Sequence, residues 1–406
     1  MSLIWLSHFI PYPPRGGAYQ RSFHLLREAA RNHEVMLVAF NRPAVNAETL
    51  TAYTAELRKF CAHVEFWELP FAWKGLRWWT TLLTNTVSKL PHSCEVYRSS
   101  SLLARWEGML REHPDALLHI DSSDLAVFAQ AAQGRRILLN HHNCESAMAF
   151  RRASVEPNRA KKVFLLSEAR KHARLEHELC PAVTVNAVVS PEDSESLRAQ
   201  APSARIIVVG NGTDTAYFLP DPKATKDDTL VFTGMLNWYP NVSGLRFFRE
   251  QIWPKVKQQV AGVKCIVAGM NPVQEIRMWA ASDPSVTLVD SPADIRPSLA
   301  SGAVYFCPII DGGGTRLKLL DAMSAGKGIV TTRVGAEGLG VENRKQALVA
   351  DSDDEFLQYT LELLSNRSLC TSLGQNAREF VERHYAWNVI GRSLDAAYGL
   401  LQTEPS

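Results

Sequence analysis

Two successive series of short β-branched and aromatic runs, separated by stretches of helical spacing, constrain the fold of this chain more than any other feature. The first series is Leu3 to Leu6, Val35 to Phe40, Val64 to Leu69, Leu117 to Ile120, Ile137 to Leu139, Val183 to Val189 and Ile206 to Val209. A strand covered on both faces reads as a continuous apolar run rather than an alternating one. Arg21 to Asn32 and Leu102 to Glu112 carry helical spacing between such runs. Strand therefore alternates with helix, and a mostly parallel sheet is predicted.

The second series is Leu230 to Thr233, Cys265 to Ala268, Val286 to Val289, Val304 to Cys307, Ile329 to Thr332 and Ala347 to Val349. Between the two lies Leu219-Pro-Asp-Pro-Lys-Ala-Thr-Lys-Asp-Asp228, whose prolines, charges and lack of periodicity suit an exposed connection. With 406 residues the chain exceeds one ordinary core. The expected fold class is α/β with two Rossmann-like domains, 1–218 and 219–386. Asn376 to Tyr385 and Trp387 to Leu401 read as amphipathic helices with a break near Ala386.

A formal charge of +2 gives no argument for nucleic-acid binding. Seven scattered cysteines without a Cys-x-x-Cys pair read as reduced, mostly buried thiols of a reducing compartment. The apolar start lacks a charged leader and a cleavage site and reads as a core strand, and no run is long enough to span a bilayer. A cytoplasmic protein is expected. Phe71-Ala-Trp-Lys-Gly-Leu-Arg-Trp-Trp-Thr-Thr-Leu-Leu83 mixes tryptophans with bases, which fits either peripheral contact with the inner face of a membrane or a helix with tryptophans in the core.

The segment Pro308 to Met323 follows a strand and opens a helix. Gly312, Gly313 and Gly314 allow close backbone approach, the first helical amides point outward, and Arg316 and Lys318 add positive charge, so the junction suits a diphosphate. Asp321, one turn on, can accept hydrogen bonds from a ribose diol. A plain loop followed by a solvated helix face is the alternative. No Gly-x-Gly-x-x-Gly follows the first strand, and Lys327 is followed by glycine rather than serine or threonine, so neither NAD nor ATP is favoured. Two further groups stand just past first-half strands: Arg15-Gly16-Gly17, whose amides can meet phosphate or form a tight turn, and Asn140-His-His-Asn-Cys-Glu145. Adjacent histidines without a second ligand cluster give no metal site.

Val304 to Gly338, with Gly-Gly-Gly-Thr-Arg-Leu-Lys-Leu-Leu-Asp-Ala-Met-Ser-Ala-Gly-Lys and Val330-Thr-Thr-Arg-Val-Gly-Ala-Glu-Gly338, resembles the donor-binding region of the retaining GT-B glycosyltransferases called group 1 or family 4. Leu230 to Asn241 resembles that family's first donor-domain strand and loop, Asn211 to Asp214 with Phe218 and Pro220 its interdomain passage, and Pro13 to Gly17 with Arg21 its glycine loop. The resemblance implies two domains facing each other across a cleft, with the last helix, 387–403, returning to the N-terminal one. It implies that Asp321 binds ribose and that Arg316 and Lys318 bind diphosphate, with Gly16, Gly17, Gly234, Asp311, Gly312, Gly313, Gly314 and Thr315 also on the donor. It puts His142 at the transferred sugar and Arg21, Asn143 and Glu145 on the acceptor side. The family's two glutamates are here replaced by Gly313 and Asp321, so Asp311 or the amides of Gly312 to Thr315 stand in for the first.

The activity so implied is metal-independent and retaining. A sugar moves from a UDP- or GDP-linked nucleotide sugar, which is substrate rather than cofactor, to a glycan or lipid-linked acceptor in surface polysaccharide synthesis. The alternatives are an epimerase or hydrolase of the same fold, and a non-catalytic sugar-nucleotide-binding subunit.

Overall fold

The computed structural model describes residues 1–69, 85, 88–311 and 315–402. The Trp-rich stretch 71–83 and the glycines 312–314 lie outside the described residues. Two compact units emerge, Met1–Gly210 with the chain from Ile390 on, and Asn211–Val389.

The first unit holds a seven-stranded sheet in the order β3-β2-β1-β4-β5-β6-β7. Its strands are β1 (Ser2–Ser7), β2 (Glu34–Phe40), β3 (His63–Trp67), β4 (Leu117–Ile120), β5 (Ile137–Asn140), β6 (Val185–Val188) and β7 (Ile206–Val208). All neighbours pair in parallel, with Leu3 opposite both Val35 and Leu117. The apolar runs mark these strands because both faces are covered: every residue of β4, β5 and β6 is buried.

The second unit repeats the plan with six strands in the order β10-β9-β8-β11-β12-β13. They are β8 (Lys226–Met235), β9 (Lys264–Met270), β10 (Val286–Asp290), β11 (Gly302–Cys307), β12 (Gly328–Thr332) and β13 (Leu348–Ala350), again parallel throughout. In both sheets the chain builds outward from the first strand in one direction and then restarts on its other side. The reversal falls between β1 and β4 in one unit and between β8 and β11 in the other, the positions where loops at the carboxyl ends of such sheets diverge and leave room for a ligand.

The proline- and charge-rich stretch expected as a connection differs in detail. Its last three residues, Lys226 to Asp228, form the exposed start of β8, and Lys226 pairs with Gly302 of β11. Strand pairing there outruns the buried core, so the apolar signal begins only at Leu230. Residues from Asn211 pack with the second unit: Thr213 bridges to Ala386, and a Cβ on Gly212 would meet the Tyr385 carbonyl at 2.8 Å.

The final helix, Trp387–Gln402, buries Leu394, Ala397, Tyr398 and Leu401 in the first unit. A methyl on Gly391 would reach Glu28 at about 3 Å, so the missing side chain lets this helix lie against helix Gly17–Ala29. Tyr398 ends on a hydrogen bond of 2.8 Å between its hydroxyl and His119 Nδ1, and His119 stacks on Trp5 at 3.5 Å. All seven cysteines are free and buried. Among the described residues no helix is long and apolar enough to cross a membrane.

The Tyr398 hydroxyl is the partner of a buried ring nitrogen, and an unpaired buried polar atom is destabilising. Tyr398→Phe should therefore lower unfolding free energy by about 1–3 kcal/mol, read from the urea midpoint; an unchanged midpoint would show that the bond contributes nothing.

Candidate functional site

The order β1-β4-β5 brings together three residues that are far apart in sequence. His8 follows β1, Asp121 follows β4 and His142 follows β5, so each stands at the carboxyl end of its strand beside the reversal point. The Asp121 carbonyl lies 3.1 Å from His8 Nδ1 and 3.0 Å from His142 Nε2. A carbonyl only accepts, so both of these ring nitrogens carry their protons, and the acceptor of a neutral His142 ring is Nδ1. The Asp121 carboxylate sits 3.5 Å from the same His142 Nε2.

That carboxylate is fully buried and held by donors. Asn140 donates to Oδ1 at 2.7 Å and Ser7 to Oδ2 at 3.3 Å, and Arg21 donates at 2.8 Å to Asn140 Oδ1 and to the Gly210 carbonyl. Burial opposes the Asp121 charge, but the neighbouring His119 and His142 rings, 3.8 and 3.5 Å from Oδ1, hold its carboxyl well below the usual range. Burial, reinforced by His142, pulls His8 down to about 4 against the charges of Asp124 and Asp121. The pair of rings thus hangs on the Asp121 carbonyl, with the ionised carboxylate of the same residue beside them.

His8, Asp121 and His142 each bring a ligand-type atom within 4.8 Å of the others, a grouping absent from the sequence reading, which expected no metal site. In this arrangement the ring nitrogens at Asp121 are occupied by protons, and a cation would have to displace them. His141, adjacent in sequence, turns away and meets Asn186 Oδ1 at 3.0 Å.

Around this centre the other first-unit residues take defined places. Gly16 precedes helix Gly17–Ala29 with φ of 100°, a conformation that favours glycine, so the turn itself asks for this residue. Arg21, only 1% exposed, reaches inward to the network just described. Glu145 opens helix Glu145–Val155, and burial with the charges of Asp124 and Glu176 pushes its carboxyl up to about 8 against a hydrogen bond with Asn143.

The second unit presents a different chemistry at the equivalent point. Helix Leu317–Ser324 starts ten residues after β11, and Lys318 and Asp321, three apart, lie on one face of it. The Lys318 stem passes beside Gly234 at the end of β8, where an added Cβ would meet Lys318 Cδ at 3.6 Å and Asn241 Nδ2 at 3.0 Å. Its ammonium donates to Asn241 Oδ1 and stands 4.5 Å from the Phe232 ring centroid. Burial pulls this ammonium down to about 8, with Arg316 reinforcing and Cys307 opposing.

Asp321 accepts from the Thr213 hydroxyl at 2.6 Å. Arg316 is buried at the position just before the helix, and Thr315 is half-buried beside it. Burial pushes the Asp311 carboxyl up, opposed by a hydrogen bond with Ser243 and by the Arg316 charge. The structure thus gathers Gly234, Lys318 and Asn241, sets Asp321 one turn on, and keeps Asp311 before residues 312–314 and Thr315 and Arg316 after them. Sequence reasoning assigned no role to His8 or Asp121, whose signal was a position just past the end of an apolar run, and none to Asn241 beyond its place at the end of the Leu230 to Asn241 stretch, within helix Tyr239–Phe247.

Residues 227–366 match the family described as glycosyl transferases group 1, which relates the second unit to that family. The two parallel sheets have the two-Rossmann GT-B architecture.

Sucrose-phosphate synthase from Thermosynechococcus elongatus superposes over 99% of both chains with TM-score 0.73 and 16% identity. Anabaena HepE, solved in complex with UDP-glucose, superposes over 98% of this chain and 100% of its own with TM-score 0.68 and 14% identity. In sequence, a GDP-mannose-dependent alpha-(1-6)-phosphatidylinositol monomannoside mannosyltransferase of Mycobacterium tuberculosis is 25% identical over 232 residues, 52% of this chain and 60% of that protein. The chain spans about half the length of the curated relatives it matches.

Asp121 has a pKa depressed below that of the unfolded chain, so its contribution to stability is present in full above about pH 4 and is lost as pH falls towards the folded value. Asp121→Asn should flatten this acid limb and lower stability at neutral pH by about 2–4 kcal/mol, because Ser7 and Asn140 lose an ionised acceptor and His142 a nearby negative charge. Urea denaturation across the pH range reads both; parallel curves for the two proteins would contradict the assignment.

Proposed function

We propose that this protein is a glycosyltransferase that takes a sugar from a UDP- or GDP-linked nucleotide sugar. In this reading it passes the sugar, with retention, to a glycan or lipid-linked acceptor in surface polysaccharide synthesis at the inner face of the cell membrane. The observation that carries the reading is the pairing of Lys318 and Asp321 on one face of the helix that follows β11, in the unit related to group 1 glycosyl transferases. A UDP-glucose complex of a protein with this fold and a GDP-mannose-dependent relative support the donor class. The latter's phosphatidylinositol monomannoside supports a lipid-borne acceptor.

Breaking the bond between sugar and nucleoside diphosphate puts negative charge on the leaving phosphate. Lys318, with Arg316 and the first amides of helix Leu317–Ser324, supplies the positive charge that stabilises it. Asp321 takes the ribose diol, and Gly234 leaves room for the Lys318 stem beside β8. The glycines 312–314 contribute backbone amides to the phosphates, with Asp311 and Thr315 at the edges of the loop.

In the first unit His142 serves the transferred sugar, its ring fixed through Nε2 by Asp121, while Asn143 and Glu145 meet the acceptor and Gly16 and Gly17 flank the donor. Arg21 acts on the acceptor side through Asn140. Retention follows when the acceptor attacks from the face the leaving group departs from and a donor phosphate oxygen takes its proton, so no protein nucleophile is required. The nucleotide sugar is the substrate, and no separate cofactor enters. Residues 71–83 give the chain a peripheral membrane contact.

Incubation with a panel of UDP- and GDP-sugars, with and without lipid-linked acceptor, tests the class. Acceptor-dependent release of nucleoside diphosphate is expected, with the donor's anomeric configuration kept in the product. Release without acceptor would indicate a hydrolase, and tight binding without any turnover a sugar-nucleotide-binding subunit. Lys318→Ala should lower turnover by about 10²–10³ with the fold intact by circular dichroism.

The Lys318 ammonium is charged below about pH 8 and neutral above it, so affinity for a nucleotide sugar should fall as pH rises through about 8. Lys318→Arg should remove that step. Affinity independent of pH across this range in the parent protein would count against Lys318 as the diphosphate contact.

A further inference from the structure

Helix Glu145–Val155 and helix Arg159–Leu179 form a hairpin whose turn contains Pro157. The inner part of the second helix is conventional: Leu165, Ala169, His172, Leu175 and Leu179 are buried at helical spacing. Its outer end is different. Val163 is 67% exposed and Phe164 41%, and across the hairpin Val155 is 65% exposed and Phe150 39%. Of eleven large hydrophobic side chains exposed among the described residues, four thus fall within residues 150–164. Singly such residues are ordinary; gathered at one tip they mark a surface that something apolar covers.

The charges of the same tip break a second local rule. Residues 150–164 hold five cations, Arg151, Arg152, Arg159, Lys161 and Lys162, against one carboxylate, Glu156. Three of the five sit in the first turn of helix Arg159–Leu179, which contains no acidic residue. Cations are disfavoured at that end by the helix dipole. Neither helix stability nor core packing explains this composition, and sites where a sequence works against its own fold are where function is expected.

We propose that the tip of this hairpin is a docking surface for a bilayer containing anionic lipid. Val155, Val163 and Phe164 enter the interfacial region and the surrounding arginines and lysines meet lipid phosphates. This combination of exposed apolar side chains ringed by cations is what an anionic bilayer recognises, since burial of apolar area and attraction to lipid charge add. Helix Glu145–Val155 starts three residues after His142 and rises roughly 16 Å to the tip. A lipid-borne acceptor held at the bilayer would then lie within reach of the strand ends of the first unit. The inference deepens the lipid-linked acceptor reading and rests on it only for that last step; the docking surface stands on the hairpin alone.

Co-sedimentation of the full chain with phosphatidylcholine vesicles, with and without about one third phosphatidylglycerol, tests it directly. Binding is expected only with phosphatidylglycerol and should weaken as salt is raised. Arg159→Glu with Lys162→Glu should reduce binding at least about tenfold, from roughly fivefold per cation. These changes put acids where the helix dipole favours them, so the fold should be at least as stable and loss of binding cannot be ascribed to unfolding.

Val163→Glu with Phe164→Glu should reduce binding similarly while leaving turnover of a water-soluble acceptor unchanged. Equal binding to both kinds of vesicle, binding unaffected by either pair, or a dimer in solution that either pair dissolves would overturn the proposal. Failure of the donor panel together with intact vesicle binding would instead strike only the enzymatic reading.

Discussion

Parallel strand pairing with a reversal of order beside the first strand is the constraint from which the rest of this protein follows. Because every pairing is parallel, all strands of a sheet end on one edge, and the loops that leave those ends are gathered there whatever their distance in sequence. The reversal sends neighbouring connections to opposite faces, so the edge opens at β1 and β4 in one unit and at β8 and β11 in the other. Both groups of polar residues described above stand at these two openings. The molecule applies one topological device twice, with different side chains.

The two applications differ in charge. In the first unit the Asp121 carbonyl holds two imidazoles, and its buried carboxylate holds an asparagine that in turn meets an arginine. In the second a lysine is threaded between a glycine and an asparagine over an aromatic ring, where burial lowers the ammonium's hold on its proton. A cation that is partly desolvated and held by a neutral amide is ready to exchange that partner for an anion. Negative charge organises one edge and positive charge the other.

Much of the fold could be read from the chain because strands covered on both sides leave unbroken apolar runs; β4 was legible to the residue. What escaped has a physical cause in each case. Lys226 to Asp228 are strand but solvent-exposed, so composition marked them as linker. His8 and Asp121 are 113 residues apart and meet only because β1 and β4 are neighbours, which no local pattern reveals. Lys318 and Asp321 were legible because their relation is local, one turn of one helix, whereas the Asn241 that fixes Lys318 comes from a different helix, Tyr239–Phe247. Thr213, the partner of Asp321, lies 108 residues away and was equally invisible.

The central claim is that the second unit's edge at β8 and β11 receives a diphosphate. A crystal structure with UDP-glucose or GDP-mannose soaked in tests it most directly. The expected result is a phosphate oxygen within hydrogen-bond distance of Lys318 Nζ, in place of or beside Asn241, with the ribose at Asp321. A nucleotide sugar bound elsewhere while Lys318 keeps only its asparagine would contradict it.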